Sequence, residues 1–393
     1  MESHPPLSGV RIMGLIIGTE LLGSERGNIE ALRALQTQGA QIFVIVSSRA
    51  PGGGAVGDHC RQLGFTTLEI PYGSHFSAQW ILQDSGYRWR QLKRLISNSR
   101  QLHQIIRSHH PDLLLLGNTL AYAFIALALK WNRIPVVFRM GDAPMTESRF
   151  QFLLWKSLAR RANHIVCVSQ FIQQQAELNL SKTRPTTVIY NIAPKRNLDI
   201  DRIQINELLK TKRPNQGVYV GQISPIKGVP DLINALIQLD DPHTGCWIIG
   251  GSAHSKELEE TLRLEVNSST TKTKIEFLGY VSDPRPFLKA ADWHIAPSTC
   301  QEALGNVVQE AKAQGTPSIV SPRGGLPETI TARKTGWLMS DIGENAIVSC
   351  IQEAQSDTHI LKTDDILKES KRMNNPSHFQ TNWRTVIQTV LNT

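Results

Sequence analysis

The sequence predicts an α/β protein of two doubly wound domains, each a parallel sheet flanked by helices, and three observations predict it. Short apolar or β-branched runs alternate with longer amphipathic stretches, which is the rhythm of βαβ units. That rhythm breaks once, over 191–214, and then restarts. The chain has 393 residues, about twice the length of an ordinary domain. Most of the apolar runs are continuous rather than alternating, as expected for strands buried on both faces of a parallel sheet.

Taken in order, the first half offers strands at 10–17, 41–46, 113–116, 135–138, 164–168 and 187–190. Helical patterns lie between them at 28–37, 89–107, 120–130, 148–162 and 169–178. The polar stretch 191–214, with Pro194 and Pro214, reads as a connector. Strands then resume at 217–220, 246–249, 275–278, 294–296 and 317–320, with helices at 229–239, 255–266 and 306–313. The expected division is a first domain over 1–196 and a second over 197–376, with a closing helix at about 377–393 that can pack back on the first. Ligands of such sheets bind beyond the carboxyl ends of the strands, so a cleft between two facing domains is the natural site.

Hydrophobic residues make up 40% of the chain and charged residues 19%, which excludes disorder throughout. The formal charge of +8 is uneven. Residues 1–196 hold 22 Lys and Arg against 11 Asp and Glu, a balance of +11, and the rest of the chain is slightly acidic. Such asymmetry points to an anionic partner for the first half, a membrane surface or nucleic acid, or serves solubility alone. The five cysteines are scattered and show no metal-ligand spacing, which fits a reducing compartment. The opening MESHPPLSG has no basic start followed by an apolar core, so no signal peptide is expected. No apolar stretch approaches the roughly 20 residues of a membrane span. The expectation is a cytoplasmic protein that could meet a membrane only at its inner surface.

The most informative stretch runs from Ser298 to Pro317. A strand ends at Pro297-Ser298, Glu302 lies in the loop, Ala303 and Leu304 lead to Gly305, and a helix begins near Asn306 and Val307. Glu310 follows a little over one turn inside that helix. One carboxylate therefore stands ahead of a helix N-terminus and the other beside its first turns, with free backbone N–H groups between. This suits a nucleotide sugar: the amides can bind a diphosphate, Glu302 can accept from sugar hydroxyls and Glu310 from ribose hydroxyls. Alone, the pair also fits two solvated glutamates around a helix cap. Three neighbouring loops favour the ligand. Gly221-Gln222-Ile-Ser-Pro-Ile-Lys227-Gly228 follows a buried strand and can bring backbone and an ammonium group onto phosphate oxygens, though a lone lysine before a helix also reads as a surface lysine. Arg323-Gly324-Gly325 permits close backbone approach. Gly279-Tyr-Val281 is placed to hold a base through its backbone.

In their order and spacing these residues resemble glycosyltransferase family 4, the retaining GT-B enzymes, whose fold is two facing Rossmann-like domains. Glu302 and Glu310 match its pair of glutamates separated by seven residues, and Lys227 its diphosphate-loop lysine. The resemblance is close over about 217–340 and looser before. There Gly18–Gly27 resembles the first glycine-containing loop, Ser169 the serine after a buried strand and Asn191 the domain-junction asparagine. It implies transfer of a sugar from a nucleotide-diphosphate donor to a hydroxyl by front-face displacement, the β-phosphate taking the acceptor proton. Catalysis would rest on Lys227, Glu302 and Asp142, and the donor would be held by Gly221, Gln222, Lys227, Gly279, Val281, Ser298, the run Glu302 to Val307, and Glu310. Gly23, Arg26, Gly27, Arg139 and Asp142 would serve the acceptor side. No cofactor is implied, and no metal, and no Asp-x-Asp is expected in the chain.

Two departures stand out. The family commonly places an arginine where this chain has Gln222, so one cation on the leaving group is missing. It also often carries a histidine directly before the position of Asp142, where this chain has Gly141. A non-catalytic nucleotide-sugar-binding or scaffold protein of the same fold is the rival reading that these departures support. A nicotinamide dehydrogenase is disfavoured, because Gly18-Thr-Glu-Leu-Leu-Gly23 lacks the G-x-G-x-x-G spacing. Nucleic-acid binding rests on charge alone.

The acceptor is signalled least. Segment 87–107 carries six Lys or Arg and no acid, with Trp89, Leu92, Ile96, Leu102, Ile105 and Ile106 as its apolar members. It reads either as a helix lying on an anionic membrane or as a core-facing helix with a basic outer face.

Overall fold

The structure is a computed structural model. It describes residues 5–71, 85–117, 128–130, 132–144, 149–180, 184–193, 201–251, 256–357, 361 and 363–392, with the backbone only at 85–92, 94, 95 and 150. The chain forms two compact units, one of residues 1–191 with 376–393 and the other of residues 192–375.

In the first unit seven parallel strands, β1 (Arg11–Ile16), β2 (Gln41–Ser47), β3 (Thr66–Ile70), β4 (Leu113–Leu116), β5 (Val136–Met140), β6 (His164–Cys167) and β7 (Thr186–Val188), lie in the order 3-2-1-4-5-6-7. The central strands are buried along nearly their whole length; all four leucines of β4 are inside. Leu15 sits opposite Ile45 on one side and Leu116 on the other. The order reverses between β1 and β4, so the loops that follow those strands flank a crevice at the carboxyl edge.

The flanking helices are α1 (Gly23–Gln36), α2 (Gly54–Gln62), α3 (Ser85–His109), α4 (Arg149–Arg161) and α5 (Gln170–Asn179). Helix α5 is capped by Ser169, whose hydroxyl accepts from the Ile172 amide at 3.1 Å. Helix α1 begins five residues earlier than the periodicity predicts, so Gly23–Gly27 is its first turns rather than a loop. The pair α2–β3 escapes sequence reading because α2 contains two glycines and β3 is a half-exposed edge strand. The helix expected over 120–130 falls mostly outside the described residues.

The second unit repeats the plan with β8 (Asn215–Val220), β9 (Thr244–Ile249), β10 (Lys274–Gly279), β11 (Trp293–Ala296), β12 (Ser318–Val320) and β13 (Gly336–Leu338), in the order 10-9-8-11-12-13. Its helices are α6 (Arg202–Thr211), α7 (Val229–Leu239), α8 (Lys256–Ser268), α9 (Arg285–Ala290), α10 (Asn306–Ala313), α11 (Glu344–Asp357) and α12 (Thr363–Met373). Helix α6 occupies part of what the composition predicts as a connector. It is capped by Asp201, which accepts from the Gln204 amide at 2.9 Å, and it packs on α9. None of its residues is fully buried, and its short stripe of Ile205, Leu208 and Leu209 puts Leu208 against the core cluster that holds Phe287 and Leu288. The final helix, α13 (Pro376–Leu391), returns to the first unit and packs on α1. It buries Phe379, Trp383, Val386, Ile387 and Val390, and Gln38 donates to the Gln380 carbonyl at 2.7 Å.

Candidate functional site

In the second unit the strand order reverses between β8 and β11, and the two loops that carry the predicted chemistry follow those strands. The β8 loop runs from Gly221 to Gly228. Tyr219, on the strand, donates its hydroxyl to the Gln222 carbonyl at 2.7 Å and pins the start of the loop. Burial raises the Tyr219 phenol above its ordinary pKa, and the negative charges of Glu302 and Cys300 add to this, so the group stays a donor. A short 3-10 turn, Pro225–Lys227, then presents Lys227. Gly228 ends the turn at φ +71, where a Cβ would stand 2.0 Å from the Pro297 carbonyl oxygen. The β8 and β11 loops therefore touch through bare backbone at that point. The amides of Thr299 and Cys300 also donate to the Ile226 carbonyl.

The β11 loop carries Glu302 to meet Lys227. The ammonium donates to Oε1 at 2.5 Å, with the side chains 31% and 17% exposed. The same Oε1 accepts from the Ser298 hydroxyl at 2.6 Å, and the Ser298 carbonyl in turn accepts from buried Ser321 at 2.7 Å. The Glu302 backbone is fixed as well. Its carbonyl accepts from Gly325 N at 2.7 Å, and Gly324 N donates to Gln301 Oε1 at 2.7 Å. Gly324 has φ +60, and a Cβ there would lie 2.1 Å from the Glu302 carbonyl oxygen. Glu302 is thus a carboxylate on a rigid mount, and the more exposed Lys227 is the partner with freedom to move.

Beyond it, Leu304 is buried and Gly305 caps α10 at φ +92. Val307 packs against Ala296, Val308, Val320 and Leu326. Asn306 opens the helix and partly buried Glu310 lies on its second turn. With the Leu304 side chain inward, what Ala303–Asn306 can offer a ligand is backbone amide. Lys312 anchors this helix from below. It is 1% exposed and donates to the Thr329 carbonyl at 2.6 Å and to Glu369 on α12 at 3.3 Å. Burial lowers its pKa, and the charge of Glu369 opposes the shift. At the β10 end, Gly279 accepts from Gly250 N at 2.8 Å, Val281 packs on a core cluster, and Tyr280 is 82% exposed.

The pairing of Lys227 with Glu302 and the supporting roles of Tyr219, Gln301 and Ser321 are not legible in the sequence. They depend on β8 and β11 being neighbours. The one available signal for Tyr219 is a hydroxylated side chain between Val218 and Val220, two residues before the loop glycine.

In the first unit the sequence-predicted residues split. Arg139, expected to face an acceptor, is only 2% exposed. It turns inward from β5 to bracket Asn28 and Asn191, donating to their amide oxygens at 2.9 and 2.6 Å. Burial pulls its pKa down to about 10, with the charges of Asp142 and Glu25 opposing. Gly27 makes the room, since a Cβ there would stand 2.3 Å from the guanidinium. Arg139 and Gly27 therefore form an internal bracket. Asp142 is exposed, Gly23 opens α1, and Arg26 donates to the Leu21 carbonyl at 3.0 Å.

In α3 the apolar face also turns inward. Leu102 and Ile106 are buried, while Lys93, Ser97, Arg100 and Gln104 line the outer face. The reading in which apolar side chains of this segment enter a membrane is corrected for these two residues. Trp89 and Leu92 lie among residues whose side chains are not described.

No helix among the described residues is long and apolar enough to cross a membrane, and no cluster of three or more metal-ligating side chains occurs among them. The chain does contain one Asp-x-Asp, Asp199-Ile-Asp201, outside the motif region. Asp201 is the α6 cap.

Two family models match, Glycosyltransferase Family 4 over residues 22–193 and Glycosyl transferases group 1 over residues 201–373. A lipopolysaccharide core biosynthesis glycosyltransferase, LpsE of Rhizobium meliloti, is 29% identical over 70% of this chain and 71% of its own length. A D-inositol 3-phosphate glycosyltransferase of Jonesia denitrificans is 31% identical over 42% of this chain, and the match spans only 38% of that protein. Among solved structures, HepE of Anabaena in complex with UDP and glucose aligns over 97% of this chain and 100% of its own, with TM-score 0.76 and 19% identity. Sucrose-phosphate synthase of Thermosynechococcus elongatus aligns over 98% and 99%, with TM-score 0.78 and 16% identity. At those identities the structures speak for the fold, which is GT-B. The two models together span nearly the whole chain, and the protein belongs to the family 4 GT-B glycosyltransferases.

Proposed function

We propose that this enzyme is a retaining, metal-independent glycosyltransferase that moves a sugar from a nucleotide-diphosphate donor to a hydroxyl acceptor. The observation that carries the reading is the convergence of Lys227 and Glu302 from the β8 and β11 loops at the switch point of the second unit. Lys227 and the amides at the start of α10 receive the diphosphate, where negative charge builds as the bond to the sugar breaks. Glu302 accepts from the sugar hydroxyls and Glu310 from the ribose. The acceptor oxygen bonds to the anomeric carbon on the face the phosphate leaves, and its proton passes to the departing phosphate oxygen. No protein nucleophile or metal is required by this scheme. The UDP and glucose bound by HepE make UDP-glucose the first donor to try. Melting temperature measured with UDP-, GDP- and ADP-sugars tests the donor assignment. One of them should raise it by mass action, and no shift with any would leave the non-catalytic scaffold or another ligand class.

A second reading concerns location. The outer face of α3 exposes Lys93 and Arg100 on the unit that carries the excess positive charge. With Leu102 and Ile106 committed to the core, the contact proposed is electrostatic, on an anionic membrane surface, at about 1 kcal/mol per engaged Lys or Arg. Cosedimentation with phosphatidylserine vesicles at low and high salt tests it. Binding at low salt that fades at high salt is expected, and no bound fraction at low salt points to a soluble acceptor.

A further inference from the structure

We infer that Glu302 and Lys227 form an exchangeable latch that makes the enzyme hold an intact donor and discharge the spent nucleoside diphosphate. The inference rests on the donor site proposed above. Lys227 is neutralised by Glu302 at 2.5 Å, so the cation meant for the diphosphate already has a partner within the protein. The two groups cannot move together. Glu302 is fixed through its backbone by Gly325 and by the close approach of Gly324, and its Oε1 is also held by Ser298. Lys227 is the more exposed partner, at the end of a flexible four-carbon stem on a short turn. A phosphate that recruits Lys227 therefore draws it off a carboxylate that stays behind, and that partly buried carboxylate needs a replacement donor.

An intact nucleotide sugar supplies both halves of the exchange. Its phosphate takes the ammonium, and its sugar hydroxyls donate to Glu302. A nucleoside diphosphate supplies only the first half and leaves Glu302 short of a donor. Before transfer the latch is open and both groups are engaged by the donor. Once the sugar has left with the acceptor, Glu302 recaptures Lys227 and weakens the hold on the product. The missing arginine at Gln222 gives this exchange leverage, because Lys227 is the only basic side chain in its loop.

The test is calorimetric titration of the full-length protein with UDP and with UDP-glucose, for wild type, Glu302→Gln, Glu302→Asp, Lys227→Met and the Lys227→Met/Glu302→Gln double variant. Glu302→Gln frees Lys227 and should bind UDP about fivefold more tightly than wild type, the scale of releasing one partly exposed ion pair. It should also narrow the preference for UDP-glucose over UDP. Glu302→Asp withdraws the carboxylate by one methylene and should shift UDP affinity in the same direction. In the Lys227→Met background the Glu302→Gln change should leave UDP affinity within twofold. The latch is overturned if Glu302→Gln binds UDP no more tightly than wild type. It is equally overturned if the tightening persists without Lys227, since simple repulsion of phosphate by Glu302 would then be the cause. A wild type that binds neither UDP nor UDP-glucose, nor the GDP and ADP pairs, defeats the donor reading itself, a result distinct from both.

Discussion

Replacing Lys227 with alanine separates a catalytic lysine from a structural one. Lys227 is the lone cation of the β8 loop, and the 2.5 Å contact shows that its ammonium reaches the heart of the site. Losing one preorganised charge-stabilising group at a leaving group costs about 10²–10³ in turnover, or about 2.7–4 kcal/mol. The 31% exposure of the side chain argues for the lower end, about a hundredfold. The fold should hardly register the change, because a pair this close to solvent contributes only about 1 kcal/mol to stability. The assay is UDP release from UDP-glucose at saturating donor, with melting temperature measured on the same preparation. Activity within a factor of two of wild type would refute the assignment. A hundredfold loss with a collapsed melting temperature would refute it too, by making Lys227 a folding residue.

Further tests address the neighbouring residues. Glu310→Ala should mainly raise the donor KM, because ribose contacts are alike in ground and transition states, whereas Glu302→Ala should lower kcat as well; identical kinetic patterns in the two variants would contradict the division of roles. Gly324→Ala places a Cβ 2.1 Å from the Glu302 carbonyl oxygen at a positive φ and should lower both melting temperature and kcat; an unchanged melting temperature would show that the loop yields freely. Acid stability should report on His294, which lies fully buried in β11 with Nδ1 3.0 Å from the Ser318 hydroxyl. Burial drops its pKa from 6.5 to about 3, so acid protonates the unfolded chain first. Its contribution is therefore complete above pH ~6.5 and is lost toward pH ~3 at about 1.4 kcal/mol per pH unit, roughly 2 kcal/mol by pH 5. Urea midpoints should show a shallower pH slope in His294→Asn than in wild type, and equal slopes would contradict the assignment.

The legibility of this protein in its sequence follows from which signals are local. A strand such as β4 announces itself because burial on both faces requires an unbroken apolar run, and the order of loop motifs over 217–340 marked the donor half of the proposed site. Helix α6 was hidden because its short stripe of Ile205, Leu208 and Leu209 lies in a polar stretch between Pro194 and Pro214. Arg139 shows the limit for direction. Its place at the end of a strand was readable, but its turn inward toward Asn28 and Asn191 depends on partners 111 and 52 residues away. The Lys227–Glu302 contact spans 75 residues and follows from strand order, which no local pattern encodes. For α3 the amphipathic pattern was visible, and the burial of Leu102 and Ile106 decided which way its apolar face turns.

The stereochemistry of donor cleavage tests the central claim most directly. With water as acceptor, UDP-glucose in the presence of EDTA should yield α-glucose as the first product in proton NMR, ahead of mutarotation, with UDP released in equal amount. β-Glucose appearing first, or turnover that stops in EDTA and returns with a divalent metal, would contradict a retaining, metal-independent transfer at the Lys227–Glu302 site.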